Sequence, residues 1–340
     1  MFKQTLEYIL NGGTLTESEA MSAMEMVMNG SATPVQIASL LSMIRFRGET
    51  VDELTGFIRS MRAHALKIEH EEDVMDTCGT GGDCASTFNI STASAILLSS
   101  MDVKVAKHGN RAVSSKSGSV DVLELLDIPV QSTPEEAVQS LQEHHLCFLF
   151  AQNYHRSMKY AAEPRKELGF RTTFNLLGPL VNPASCEKQL IGVYDYHLAE
   201  KIAQSLVRLG AKRILLVTGE DGLDEATIAG KTKMILVEGT DIQQFSISPE
   251  DVGLKRHPLS AIQVANAKES ADLIEAVFKG CAAEAAIHTV LLNTACGLYV
   301  YGRTESIAEG VKEASQALYS GAGYDQLQKL RLIKKVKTHA

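Results

Sequence analysis

The segment Asp76-Thr77-Cys78-Gly79-Thr80-Gly81-Gly82-Asp83, with Asn89-Ile90-Ser91-Thr92 soon after it, has the residue types of an anion cradle. Glycines let a backbone come close to a ligand and turn its amides inward. A helix starting near Ser91 would aim free N–H groups and the positive end of its dipole at the same place. The spacing matches neither the G-x-x-x-x-G-K-[ST] of nucleotide loops nor the G-x-G-x-x-G of dinucleotide folds. Taken alone, such a cluster is as readily a tight turn with no ligand. The hydroxyl and amide side chains of Thr87, Asn89, Ser91 and Thr92 favour a ligand.

A second run follows, Lys107-His108-Gly109-Asn110-Arg111-Ala112-Val113-Ser114-Ser115-Lys116-Ser117-Gly118-Ser119. From Val103 to Ser119 there are Lys104, Lys107, Arg111 and Lys116 and no acid. Cations set among small hydroxyl residues suit a phosphate or diphosphate that has to be hydrogen-bonded as well as neutralised. A solvated basic loop is the competing reading of this run by itself. Third comes Asp221-Gly222-Leu223-Asp224-Glu225. Adjacent carboxylates on a helix diverge by about 100°, so joint work on one ion needs a turn, which Asp221-Gly222 supplies. Hard oxygen ligands in small number suit Mg²⁺, which keeps waters and bridges to phosphates.

These residues need a scaffold, and the sequence describes one. Four helix starts carry a hydroxyl with Glu or Gln three residues on: Thr16 with Glu19, Thr33 with Gln36, Thr50 with Glu53 and Thr133 with Glu136. Pro34 and Pro134 strengthen two of them. Three fall in the opening 65 residues, where no strand pattern appears, so the chain begins as a helical unit. From about residue 72, apolar runs at Val74–Cys78, Val103–Lys107, Leu146–Ala151, Gln189–Tyr194, Arg213–Thr218 and Met234–Glu238 read as strands. Helical patterns over 91–100, 119–126 and 198–209 alternate with them, which predicts an α/β domain with a largely parallel sheet. The basic run therefore lies after a strand and before a helix, where open α/β sheets bind ligands. Residues 170–185 interrupt the alternation and are expected to rejoin the helical unit. The last 70 residues are mostly helical in pattern.

Composition narrows the partners. The 340 residues carry 33 Lys+Arg against 41 Asp+Glu, a formal charge of −8. That sum argues against nucleic acid or a membrane surface as partner and leaves room for a local anion site. No apolar stretch approaches the roughly 18 residues of a membrane span, and Glu7 stands where a signal peptide would be apolar; a cytoplasmic protein is expected. The six cysteines form no C-x-x-C pair and read as free thiols.

Taken together, Gly79–Asp83, Asn89–Thr92, Lys107–Arg111, Ser117–Ser119, Arg165-Lys166-Glu167-Leu168-Gly169, Phe174-Asn175-Leu176-Leu177-Gly178-Pro179-Leu180 and Asp224-Glu225 resemble the anthranilate phosphoribosyltransferase family, in order and spacing over essentially the whole chain. Two places depart from its usual pattern, His155-Arg156 for His-Pro and Val120-Asp121 for Ala-Asp. The resemblance implies transfer of phosphoribose from 5-phosphoribosyl 1-diphosphate to anthranilate, releasing pyrophosphate, in tryptophan biosynthesis. It implies that Gly79, Gly82, Asp83, Thr87, Asn89, Ile90, Ser91, Thr92, Lys107, His108, Gly109, Asn110, Arg111, Ala112, Val113, Ser114 and Ser115 hold the donor. Ser91, Asp224 and Glu225 match the metal ligands, for two Mg²⁺ per subunit. Asn110 and Arg165 match contacts to anthranilate, and Ser119 a further substrate-binding position. No acid–base residue is implied, with Lys107, His108 and Arg165 acting by charge and orientation. The implied fold is α/β, a small all-helical domain beside a larger α/β domain with a central, mostly parallel sheet, of the nucleoside phosphorylase and phosphoribosyltransferase type. Its division here would be 1–71, rejoined by about 168–187, against 72–167 with 188–340, in a homodimer through the helical part. A pyrimidine nucleoside phosphorylase would share the architecture but needs a nucleobase pocket in place of Asp224-Glu225 with a diphosphate loop.

Overall fold

The computed structural model describes residues 2–111, 117–131 and 133–337, leaving aside the side chains of 334–337. Ala112, Val113, Ser114 and Ser115, expected in the donor site, lie outside the described residues, as does Lys116 of the basic run.

The opening of the chain forms the helices Phe2–Leu10, Glu17–Met28, Pro34–Arg47 and Val51–His64. Thr16, Thr33 and Thr50 each accept from the amide three residues on, and Glu19, Gln36 and Glu53 return a bond to the capping residue's own N–H. Each such cap contributes about 1 kcal/mol. The buried Glu53 also accepts from the Leu15 amide at 3.0 Å and pairs with Arg47, so one carboxylate joins three parts of the unit. At the fourth start, Thr133 accepts from the Glu136 amide at 3.2 Å.

Among the described residues, strands β1 (Val74–Gly79), β2 (Lys104–Gly109), β3 (Leu146–Phe150), β4 (Lys188–Gly192), β5 (Arg213–Gly219), β6 (Thr232–Glu238) and β7 (Asp241–Ile247) make one sheet in the order β3-β2-β1-β4-β5-β6-β7. The first five run parallel; β6 and β7 are antiparallel additions. Strand β7 has no counterpart among the runs expected to be strands. It follows a turn at Gly239, φ 61°, and reads Asp-Ile-Gln-Gln-Phe-Ser-Ile at a mostly exposed edge, so it lacks the apolar run that marks an inner strand.

The strand order turns at β1, which has β2 on one side and β4 on the other. The C-terminal ends of β1 and β4 therefore flank a topological switch point, where such sheets bind ligands. One face of the sheet packs on helices Ile90–Ser99 and Glu284–Tyr301, the latter buried along most of its length. The other face, through Ile191, Val193, Ile214 and Leu216, shares an apolar cluster with Ile37, Leu40 and Phe57 of the helical unit. Phe174, Leu177, Leu180 and Val181 join that cluster, and so does Ala161, earlier on helix Lys159–Leu168. The six cysteines are free thiols.

Candidate active site

The chain leaves β1 through the glycine-rich loop. The Thr80 amide donates to the Gly192 carbonyl at 2.9 Å, and Gly81 and Gly82 take φ of 70° and 92°. That left-handed backbone is open to glycine at little steric cost. Asp224 comes against the loop from the turn after β5, and its Oδ2 accepts from the Gly81 amide at 2.6 Å. Two glycines make room for it: a Cβ at Gly79 would lie 2.2 Å from Asp224 Oδ2, and one at Gly192 only 1.5 Å from the Asp224 carbonyl oxygen. Asp83 accepts from the Ala85 amide at 3.1 Å. Thr87 sits in a single bridge with Gln263.

Helix Ile90–Ser99 then starts with no side-chain cap on its first turn. Asn89 instead accepts from Ser117 Oγ at 2.6 Å and Ser270 Oγ at 2.8 Å, so its side chain holds the approach to Ser119. Ile90 and Thr92 are buried behind the first turn, leaving their main chain as the part that can meet a ligand. Ser91 faces Glu225, which accepts from its amide and hydroxyl. Lys107 is buried, with Nζ donating to the Thr77 carbonyl at 2.7 Å and to Ser91 Oγ at 3.0 Å.

Asp224 and Glu225 are each only 8 % exposed. Burial pushes the Glu225 carboxyl up to about 7; Lys107 works against that shift and Asp83 adds to it. Asp224 is raised well above the carboxylate range by burial, then by repulsion from Asp83 and Glu225. Buried carboxylates that resist ionising side by side are poised for a divalent cation, which supplies the missing positive charge. Among the described residues no three His, Cys, Asp or Glu side chains form a ready-made metal cage. Two carboxylates and a hydroxyl fit a hard ion that keeps water and takes phosphate oxygens as further ligands.

The second loop faces the segment 170–185. His108 receives a backbone anchor, its amide donating to Asp76 Oδ1 at 3.2 Å, and its Nδ1 is 3.1 Å from the Gly178 carbonyl. Its ring centroid lies 5.2 Å from that of His155, a residue given no role on sequence grounds. Both Nε2 atoms are buried without a protein partner among the described residues. Burial lowers His108 to about 3 and His155 to about 4, so both rings are neutral at physiological pH. Arg165 is half-buried, makes no ion pair among the described residues and lies over the Phe174 ring at 5.3 Å. Arg156, one of the departures from the family pattern, is exposed.

Other residues fall differently from expectation. The Arg111 guanidinium pairs with Glu124 and Asp121 and lies over Phe150, so acids just beyond the acid-free run hold that cation. A Cβ at Gly109 would lie 2.2 Å from Ser119 Oγ and would turn away that hydroxyl, which donates to the Asn110 carbonyl at 3.2 Å. Arg171 was not singled out in the sequence. It reaches the glycine-rich loop from the far segment, with Nη2 2.9 Å from Cys84 Sγ and its guanidinium against Gly82. A lone Arg beside Phe170 and Thr172 carries no motif that would have revealed this.

Comparison with known proteins gives the family and agrees with the fold. Residues 3–65 match the glycosyl transferase family helical bundle domain, and residues 71–324 the glycosyl transferase family a/b domain. The chain is 54% identical over 340 residues to anthranilate phosphoribosyltransferase of Geobacillus sp. (strain WCH70), with 100% of each chain covered. Among solved structures, anthranilate phosphoribosyltransferase from Thermus thermophilus superposes with a TM-score of 0.90 at 38% identity, covering 97% of this chain and 99% of that one. The Saccharomyces cerevisiae enzyme in complex with PRPP and Mg gives 0.90 at 25% identity, with 98% of each covered. With a helical bundle, a mixed α/β sheet and the phosphate-type loops at its switch point, the chain belongs to the anthranilate phosphoribosyltransferase family.

Proposed function

We propose that this protein transfers the phosphoribosyl group of 5-phosphoribosyl 1-diphosphate (PRPP) to the amine of anthranilate, forming N-(5-phosphoribosyl)anthranilate and pyrophosphate in L-tryptophan biosynthesis. The observation that carries the reading is the meeting of Asp224 and Glu225 with the Gly79–Asp83 loop, Ser91 and Lys107 at the switch point. The family match supplies the substrates.

As the C1–O bond to diphosphate breaks, negative charge grows on the leaving group and positive charge on the ribose. Loop amides and the uncapped first turn after Asn89 are preoriented to take up the former. Ser91, Asp224 and Glu225 would hold Mg²⁺, two per subunit in our reading, and the bound ions would supply further charge neutralisation on the diphosphate. An aryl amine is already neutral at physiological pH, so no strong base is required before attack. Burial holds His108 to about 3 and His155 to about 4, so both rings are weak bases and neither is asked to take a proton before attack. Asn110 and Arg165 are assigned to anthranilate, Arg165 forking onto its carboxylate to aim the amine at C1. The donor set remains that of the two loops, with Arg111 contributing once it leaves Glu124.

The same reading divides the chain into a helical domain of 1–71, joined by about 168–187, and an α/β domain; the packing of Phe174, Leu177, Leu180 and Val181 with Ile37, Leu40 and Phe57 supports the joining of the later segment to the helical unit. It makes the protein a cytoplasmic homodimer. No helix among the described residues is long and apolar enough to cross a membrane. Leu10, Val35 and Phe46 on the helical unit are 73%, 75% and 95% exposed, apolar side chains that a second copy could cover. The deciding assay follows loss of anthranilate fluorescence with PRPP and Mg²⁺, omitting each component in turn; turnover that persists without PRPP or without Mg²⁺ refutes the reading.

A further inference from the structure

Behind Asp224 and Glu225 lies a side chain that no motif of the sequence includes. Asn293, within helix Glu284–Tyr301, is 0 % exposed. Its Oδ1 accepts from the Ala226 amide at 2.9 Å, and its Nδ2 donates to the Ala226 carbonyl at 2.9 Å and to the Thr289 carbonyl at 3.0 Å. An amide buried in an apolar helix costs about 1–3 kcal/mol if left unpaired. Here its acceptor and both donors are used, and two of the three bonds go to the one residue that follows Glu225.

That two-point contact fixes both peptide groups flanking Ala226. The next residue is held as well: the Thr227 amide donates to Thr232 Oγ1 at 3.0 Å, and Thr227 Oγ1 donates to Asp221 Oδ2 at 2.7 Å. On the opposite side, Asp224 rests against Gly79 and Gly192 with no room for a Cβ. The carboxylate pair is thus seated between the ends of β1 and β4 in front and Asn293 behind. Partners behind metal ligands orient them, and a held backbone after Glu225 does this for the carboxylate pair. Rotation of the Glu225–Ala226 peptide would swing Glu225 away from Ser91.

We propose that Asn293 is a positioning residue of the metal site: through the Ala226 backbone it sets where the Asp224 and Glu225 carboxylates stand. The inference rests on the reading of those two residues as metal ligands.

The test uses full-length Asn293→Leu, similar in size but unable to hydrogen-bond, and Asn293→Ser as the milder change should the first not fold. Mn²⁺ is titrated in the presence of PRPP and the free ion followed by electron paramagnetic resonance. Both variants should bind Mn²⁺ more weakly, by roughly 10- to 100-fold for Leu. Amide exchange should rise in peptides spanning 223–228 while β5 stays protected. A merely structural role would lower thermal stability and leave Mn²⁺ affinity of the folded protein unchanged, and that result overturns the inference alone. If the wild type itself takes up no Mn²⁺ with PRPP, the metal reading of Asp224 and Glu225 fails and the inference falls with it.

Discussion

Lys107 donates to Ser91 Oγ at 3.0 Å and so ties strand β2 to the first turn of helix Ile90–Ser99. The ammonium also bonds the Thr77 carbonyl and offsets Glu225 and Asp76. It is a buried counter-charge at the root of the proposed donor site, not a cation on a loop surface. Replacing it by methionine keeps the bulk and removes the charge. Breaking such a buried arrangement from one side costs about 3–5 kcal/mol. Lys107→Met should lose kcat/KM for PRPP by at least about 100-fold, given what one electrostatic donor is worth in such sites. Steady-state kinetics on the folded variant checks this, and near-normal kcat/KM would remove Lys107 from the site.

What was legible in the sequence was local. The caps at Thr16, Thr33 and Thr50 lie within three residues of their partners and could be read directly. The apolar runs gave strands β1 to β6 because inner strands bury both faces, while β7, polar and at an edge, gave no such signal. The three chemical motifs carried their residue types openly. What joins them is long-range: the Gly81 contact to Asp224 spans 143 residues, and Asn293 reaches Ala226 across 67. No periodicity marks Arg171, Gly192 or Asn293, because their roles exist only once β4, β5 and the last helices are packed. The acid-free run from Val103 to Ser119 also gave no sign of the partners of Arg111, Asp121 and Glu124, which come just after it.

Asp224→Asn separates charge from shape. The amide is isosteric and its oxygen can still accept from Gly81, so the loop keeps its seat while the site loses one negative charge. The expected cost is on the order of 3 kcal/mol of transition-state stabilisation, read as kcat/KM at saturating Mg²⁺. Wild-type turnover under that condition would refute a metal role for Asp224.

Arg165 is half-buried, and burial lowers its pKa without a carboxylate to compensate among the described residues. Such a guanidinium gains most from an incoming carboxylate. Arg165→Ala should raise KM for anthranilate roughly 10- to 100-fold, from hydrogen bonds to a charged group worth about 1.5–3 kcal/mol, with KM for PRPP nearly unchanged. Arg165→Lys should not restore it, since lysine lacks the planar fork. Equal weakening of both substrates would make Arg165 structural.

Asp76 lies fully buried between His108 and Asn182, accepting from the His108 amide and from Asn182 Nδ2 at 2.7 Å. Burial raises its carboxyl to about 6, although Lys107 and these hydrogen bonds oppose the shift. The folded state therefore keeps this proton to a higher pH than the unfolded chain. Its stabilising share is complete below the unfolded value and is lost as pH rises to about 6, by about 3 kcal/mol at 1.36 kcal/mol per unit. Urea unfolding of the wild type and Asp76→Asn at stepped pH should show the wild type's relative stability falling between about pH 4 and 6 and level above. A flat difference curve would contradict this, and a rising one would mean the carboxylate form is the one the fold prefers.

Gly192→Ala tests the front of the proposed metal site without touching a polar atom. Gly192 is not in the left-handed region, so alanine is acceptable to the backbone there and only the contact matters. Its new methyl would stand 1.5 Å from the Asp224 carbonyl oxygen and 2.4 Å from the carbon bearing it. Main chain cannot yield as a flexible side chain would, so either β4 or the Asp224 turn has to move. Strand β4 is hydrogen-bonded on both sides, to β1 and β5, which leaves the turn as the softer element. Overpacking of this kind costs typically about 1–3 kcal/mol of stability, whereas displacing Asp224 by even about 1 Å disturbs groups whose value depends on position. The variant should therefore fold with a modestly lowered urea midpoint yet lose activity by about 100-fold or more. Retained activity alongside that lowered midpoint would show that β4 gives way instead, and that the seat of Asp224 tolerates movement.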